Sequence, residues 1–158
     1  MRDRAFFAES ATEFKLVDPE NGSVRELFSH KSSYASGDLG GWAVSPDGTE
    51  IAVLNSNFRT AEIEVFSLPG QLKHTIIVRG WSRLNGIDYS ADGKDFYSGW
   101  IGFGNSTLLR VDRKGNATPL WRRVGTNIQV WAIPSPDGKY IALPANSSAE
   151  NAWMMDGS

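Results

Sequence analysis

Hydrophobic positions along this chain fall into short runs rather than long periodic stretches. In Glu62-Ile63-Glu64-Val65-Phe66 and Leu108-Leu109-Arg110-Val111 charged and apolar residues alternate, the pattern of a strand with one buried face, and the alternation argues against helix. Other runs are rich in β-branched and aromatic residues: Trp42-Ala43-Val44, Glu50-Ile51-Ala52-Val53-Leu54, His74-Thr75-Ile76-Ile77-Val78 and Thr118-Pro119-Leu120-Trp121. Turn chemistry separates them. Ser45-Pro46-Asp47-Gly48, Ser90-Ala91-Asp92-Gly93 and Ser135-Pro136-Asp137-Gly138 recur at a constant step of 45 residues. Proline pre-sets φ at the first central position of a type I turn, aspartate suits the second, and glycine accepts the left-handed position that follows. Asp47, Asp92 and Asp137 are therefore read as turn formers.

Each period yields four strands. The first and second flank the Ser-Pro-Asp-Gly turn: Ile87-Asp88-Tyr89 and Asp95-Phe96-Tyr97 in the second copy, Trp131-Ala132-Ile133 and Tyr140-Ile141-Ala142-Leu143 in the third. The third strand ends at a glycine turn, Leu68-Pro69-Gly70 or Arg113-Lys114-Gly115, and the fourth follows. A period near 45 with four strands predicts β-propeller blades. The fold class read here is all-β: a β-propeller segment of four-stranded antiparallel blades, two complete and two partial, forming one region over 1–158. The blades span 38–80 and 81–125. The partial ones span 4–30, with strands at Arg4 to Ala8, Phe14 to Asp18 and Arg25 to Phe28, and 126–157, where Ala152 to Gly157 takes the third-strand slot. A propeller typically needs at least four blades around its channel. The expectation is thus a piece of a longer chain or a half that assembles with another copy.

On these residues the chain resembles TolB-like and WD-repeat-like propellers whose blades carry a Ser-Pro-Asp-Gly turn. The stretch from Ile87 through Asp92-Gly93-Lys94, Leu108 to Asp112 and Ser135 to Tyr140, with Asn151-Ala152-Trp153-Met154-Met155, is similar to the closing blades of propellers in large bacterial sensor kinases and regulators. The resemblance implies a non-catalytic module for protein or ligand interaction in a bacterial sensory or scaffold protein. The alternative is a propeller accessory to a hydrolase or peptidase, or a propeller lyase or lactonase. The tetrapeptide differs from the sialidase Asp-box, which spaces Ser, Asp and Gly at alternate positions.

Composition narrows the partners. With 41% hydrophobic and 11% aromatic residues among 158, there is material for a packed core. Sixteen basic and 18 acidic residues are interspersed, so no basic stripe advertises nucleic acid. Without cysteine there is neither a disulfide framework nor a thiolate metal site. The sequence presents no signal-peptide core at its start and no apolar run of the roughly 18 residues that span a bilayer. It reads as soluble, with its compartment open and no membrane contact by this segment.

Candidate chemistry follows from strand direction. Within a blade, the first-to-second and third-to-fourth turns share one rim, and the second-to-third and blade-to-blade loops share the other. The second rim has the longer loops, and it holds the residues expected to bind a partner or ligand: Arg59, Trp81, Arg83, Asn85, Trp100, Asn105, Arg122 and Asn127. Trp42 and Trp131, taken as equivalent repeat positions, are expected to pack, as are Trp121 and Trp153. His30 and His74 are expected to be solvated at the outer blade edge. No Ser-His-Asp arrangement, histidine-rich metal site, Gly-x-Ser-x-Gly elbow or phosphate loop can be assembled. Gly102 to Thr107 reads as a strand-connecting loop. No catalytic residue, metal or cofactor is assigned. The expected partners are a protein or small molecule, with a second copy completing the propeller as a further option.

Overall fold

The computed structural model describes residues 10–32, 39–102, 104–125 and 130–143, all of them strand, turn or loop. The strands expected at Arg4 to Ala8 and Ala152 to Gly157 lie outside this set, as do Asn127 and Trp153. Twelve strands occur among the described residues: β1 Ser10–Val17, β2 Val24–Ser32, β3 Leu39–Val44, β4 Glu50–Ser56, β5 Ala61–Ser67, β6 Leu72–Ile77, β7 Leu84–Tyr89, β8 Phe96–Gly102, β9 Asn105–Val111, β10 Ala117–Val124, β11 Ile133–Pro134 and β12 Ile141–Ala142.

Two sheets are complete antiparallel meanders, ordered β3-β4-β5-β6 and β7-β8-β9-β10, and β1-β2 and β11-β12 form two-stranded sheets on either side. Strand order equals chain order, because each strand hands over to its neighbour through a short turn. β11 and β12 are shorter than the expected Trp131–Ile133 and Tyr140–Leu143 runs, pairing only at Ile133 with Ala142 and Pro134 with Ile141. The sheets stand side by side with their first strands inward: β3 lies against β7, and β7 against β11. A Cβ on Gly41 would sit 3.1 Å from the Gly86 Cα, and one on Gly86 would sit 3.1 Å from the Trp131 Cβ. Small residues at this step let the inner strands converge.

Each interface between sheets is a core of its own. β4 is buried along nearly its whole length, so its neighbours divide its side chains by parity. Ile51 and Val53 join Phe14 and Phe66 against the β1-β2 sheet, while Ala52 and Leu54 join Ile63, Val65, Leu84, Phe96 and Leu109 against the next blade. Leu108, Val130 and Ala132 make the third interface. Only strands covered on both faces read as near-continuous apolar runs. The outermost β10 carries Pro119 and a register shift between Pro119 and Trp121, features suited to a sheet edge, where no neighbour needs the missing N–H.

Twist carries the outer strands across to the following blade. Beyond β6, the Arg79 N–H donates to the Gly115 carbonyl at 2.9 Å, and a Cβ on Gly115 would fall 2.0 Å from the Ile77 carbonyl oxygen. Only glycine fits there. Trp42 and Trp131 differ from expectation. Trp42 stands three residues before its turn serine and Trp131 four, so along alternating strands they are one position out of register. Trp42 is 57% exposed, edge-on to Phe14 at 5.6 Å, and Trp131 is also exposed.

Candidate functional site

The rim of tight turns is organised by hydrogen bonds within each repeat. Ser45 Oγ donates to Asp47 Oδ1 at 2.6 Å and accepts from the Glu50 N–H at 2.9 Å. The same pair of bonds joins Ser90 to Asp92 and Asp95, and Ser135 to Asp137 and Tyr140. Gly48, Gly93 and Gly138 close these turns at φ of 69°, 69° and 70°, a backbone that other residues adopt only with strain. The serine hydroxyl and backbone N–H donors hold the aspartates below their ordinary range. The first oxygen of each of these carboxylates serves its turn, in agreement with the turn-forming role.

Clefts between successive turns carry further ion pairs. In a cleft of 580 Å³, Glu50 meets Lys73 at 2.8 Å and Arg113 at 3.0 Å. Burial pushes the Glu50 carboxyl up, but the hydrogen bonds from Lys73 and Arg113 offset this and hold it below its usual value. Arg113 also donates to the Gly93 carbonyl at 2.7 Å and lies over the rings of Phe96 and Tyr89. Burial, then the Glu50 charge, pushes the Tyr89 phenol up. In the next cleft Arg110 Nε donates to Asp95 Oδ2 at 2.6 Å, and its Nη2 pairs with the same oxygen. Lys73, Arg110 and Arg113 on this rim are each matched by a carboxylate.

The loop-rich rim differs. Phe58, in the β4–β5 connection, is 75% exposed and has the Arg83 guanidinium 5.0 Å from its ring centroid. The loop is tied at several points. Asn57 Oδ1 accepts from the N–H groups of Arg59 at 2.7 Å and Thr60 at 2.9 Å; the Arg83 N–H donates to the Asn57 carbonyl at 2.8 Å; Ser82 Oγ donates to the Phe58 carbonyl at 3.2 Å. Arg83 has φ +56°, the left-handed region, and is the one non-glycine residue there among those described.

Of the expected binding residues, Arg59 and Arg122 are exposed, and Arg83 has its guanidinium over the Phe58 ring. Trp81 and Trp100 meet edge to face at 5.4 Å and pack against the core between the complete blades, so their rings are committed to that interface. Asn105 begins β9 opposite Val124, two positions from Arg122 on β10. Asn85 is 6% exposed, inside β7, with no hydrogen-bond partner for Oδ1 among the described residues; it faces inward rather than onto the rim. Phe58 escaped the sequence reading. Its signal was a lone aromatic inside the polar connection Asn55-Ser56-Asn57-Phe58-Arg59-Thr60.

The expectation for the histidines is corrected at His30. His74 is exposed, but His30 is buried, its Nε2 2.7 Å from Glu64 Oε2 and its ring edge-on to Phe66 at 5.6 Å. Asn55 Nδ2 donates to the same Glu64 oxygen at 2.6 Å. This trio pins the β1-β2 sheet to the adjoining blade. Among the described residues no cluster of three histidine or carboxylate groups is placed to hold a metal ion, and no helix is long and apolar enough to cross a membrane.

No protein-family model matches the chain, and no curated protein sequence matches it. Solved structures do. TolB from Acinetobacter baumannii superposes with a TM-score of 0.59 at 24% identity, over 87% of this chain and 33% of that one. The Dos1 propeller gives 0.51 at 13% identity, over 83% and 33%. The periplasmic gluconolactonase PpgL of Pseudomonas aeruginosa gives 0.50 at 18% identity, over 84% and 42%. The chain therefore spans 33% to 42% of the length of these neighbours. Side-by-side four-stranded blades, inner strands converging on glycine, and this likeness together make the fold that of a TolB-like β-propeller.

Proposed function

We propose that the chain is a non-catalytic propeller module that holds a protein segment or small ligand on its loop-rich rim. It would serve as part of, or half of, a propeller in a bacterial sensory or scaffold protein. Blades at 38–80 and 81–125, flanked by partial blades at 4–30 and 126–157, would form the scaffold. The observation that carries this reading is the contrast between rims. The tight-turn rim spends its carboxylates on its own turns and ion pairs, whereas Phe58, Arg59 and Arg122 stand exposed on the other. Rigid scaffolds present binding groups on their loops in this way. The test is selection of binders from a displayed random-peptide pool, followed by affinity measurement against alanine variants at Arg59, Arg83 and Arg122. Weaker binding with an unchanged fold supports the module, and unchanged affinity in all three counts against it.

A second reading makes the propeller an accessory to a hydrolase or peptidase, or a lyase or lactonase with its site at the channel mouth. The likeness in fold to a gluconolactonase keeps it in view. Turnover of generic esters, lactones or peptides by the purified chain would favour it.

A further inference from the structure

We propose that the cleft between the second and third repeat turns takes an arginine side chain from a protein partner; it lies on the tight-turn rim and goes beyond the loop-rim reading. The sister cleft one repeat earlier shows what such a groove holds. There the Arg113 guanidinium, carried by the following blade, bonds Glu50 Oε2 at 3.0 Å and the Gly93 carbonyl at 2.7 Å. Lys73 takes the other Glu50 oxygen at 2.8 Å. Both oxygens of that carboxylate are thus matched by cations.

One repeat of 45 residues on, Asp95 stands where Glu50 stands and Gly138 where Gly93 stands, and both line a cleft of 380 Å³. Asp95 is 8% exposed, and Arg110 of its own blade brings Nε and Nη2 to one oxygen, Oδ2. No described residue bonds Oδ1. The counterpart of Arg113, at 113 plus 45, is Ser158, and no lysine or arginine occurs from Tyr140 to Ser158. Charge agrees with this gap. Three carboxylates, Asp92, Asp95 and Asp137, line the cleft against Arg110 alone, whereas the three lining the sister cleft face both Lys73 and Arg113. Lys94 and Lys139 lie 3.4 Å from Asp92 and Asp137, but on exposed side chains, where water screens such pairs. A planar guanidinium can bond a carboxylate and a carbonyl at once, as Arg113 does, whereas an ammonium is a point charge. The rings under Arg113 have no counterpart, since Phe96 and Tyr89 correspond to Ile141 and Pro134, so the grip on a visiting arginine is looser than the internal one.

The test is a titration of the nitrogen-15-labelled chain, followed by amide chemical shifts, with four probes: the peptide Gly-Ser-Arg-Ser-Gly, its lysine and citrulline counterparts, and free arginine amide. Citrulline keeps the shape of the side chain and removes its charge. The arginine peptide is expected to shift the amides of Asp92, Asp95 and Gly138, and to bind at least about fivefold more tightly than the citrulline peptide, with affinity falling as salt rises. Asp95→Asn is expected to weaken it about tenfold and Asp137→Asn about threefold. Asp137→Asn is the safer variant, because asparagine also suits the turn and leaves the Asp95 pair with Arg110 intact. Glu26→Gln, on β2, is the control and leaves affinity unchanged. Equal binding of the lysine peptide overturns the guanidinium, and free arginine amide binding as tightly as the peptide overturns the protein partner. Binding indifferent to both aspartate variants, in folded protein, overturns the cleft. Shifts confined to the loops around Phe58 also overturn it, while leaving the module on the loop-rich rim standing.

Discussion

Arg113, in the turn between β9 and β10, reaches back across the blade interface to Glu50 at the head of β4, with Nη2 3.0 Å from Oε2. The guanidinium caps the rings of Phe96 and Tyr89 and bonds the Gly93 carbonyl, so one side chain touches Glu50 of the first blade and the β7–β8 turn of the second. Arg113→Met keeps the apolar stem and removes the charge. It is expected to cost about 1 to 3 kcal/mol in chemical denaturation, because Glu50 keeps only Lys73 and the Gly93 carbonyl loses a donor. Arg59→Met, on an exposed and unpaired arginine, should stay within about 0.5 kcal/mol.

Acid should reveal the same contact. Despite the upward push of burial, hydrogen bonds hold Glu50 below its ordinary 4.5, so its folded pKa lies under its unfolded one. Its contribution is complete above the unfolded value and is lost as the pH falls through the folded one. Asp47, Asp92, Asp112 and Asp137 shift in the same direction, led by hydrogen bonds from Ser45, Ser90, Asn116 and Ser135. Melting temperature is therefore expected to be flat above about pH 5 and to fall below about pH 4.5. In Arg113→Met the fall should be shallower, so the gap between the two proteins should narrow at low pH to the part left by the Gly93 carbonyl and the ring contacts, which do not titrate with Glu50. A constant gap between the curves would contradict the assignment.

Two glycine substitutions should separate crowding from backbone strain. A Cβ on Gly99 would lie 1.7 Å from the Val130 carbonyl oxygen, so Gly99→Ala must push the last sheet away from β8. Gly48 has open space around its would-be Cβ but φ +69°. Gly48→Ala is expected to cost about 1 to 2 kcal/mol, the strain of the left-handed backbone alone. Gly99→Ala should cost more, and hydrogen exchange should speed up in β11 and β12 before it does in β3 to β6.

His30→Ala should loosen the opposite side. It removes the bond to Glu64 and the edge contact with Phe66, leaving Asn55 as the described partner of that carboxylate. Amide exchange is expected to accelerate in β1 and β2 with little change in β7 to β10, and the global melting temperature should drop by several degrees. A solvated histidine would leave both untouched.

The strands were legible because their information is local. Alternation in Glu62–Phe66, and turn chemistry at Ser45, Ser90 and Ser135, specify strand and reversal within a few residues. The rim assignment followed from direction alone. What escaped was set between sheets. His30 finds Glu64 34 positions away and Arg113 finds Glu50 63 away, and no local pattern encodes which side chains meet once sheets stack. The one-residue offset between Trp42 and Trp131 was visible in the numbering, yet its effect depends on strand pleat, which reverses the face at every step. Asn85 read as a loop residue because Gly86 interrupts the apolar run, whereas the register shift there keeps Asn85 inside the sheet. Phe58 and Arg83 lie in different connections and come together only because adjoining blades bring those loops to one edge.

The second and third repeat turns each rest on the one before: the Pro46 ring lies 3.6 Å from where a Cβ on Gly93 would stand, and Ala91 Cβ 3.3 Å from the same point on Gly138. Such contacts join only adjacent units, so they act as a coupling gauge that is indifferent to how many units are threaded together. Duplicating or excising one whole 45-residue module would restore every coupling, whereas a fractional change in length would set strand against turn. Growth by integers is thus built into the chain, and evolution or an engineer can lengthen it without redesigning a joint.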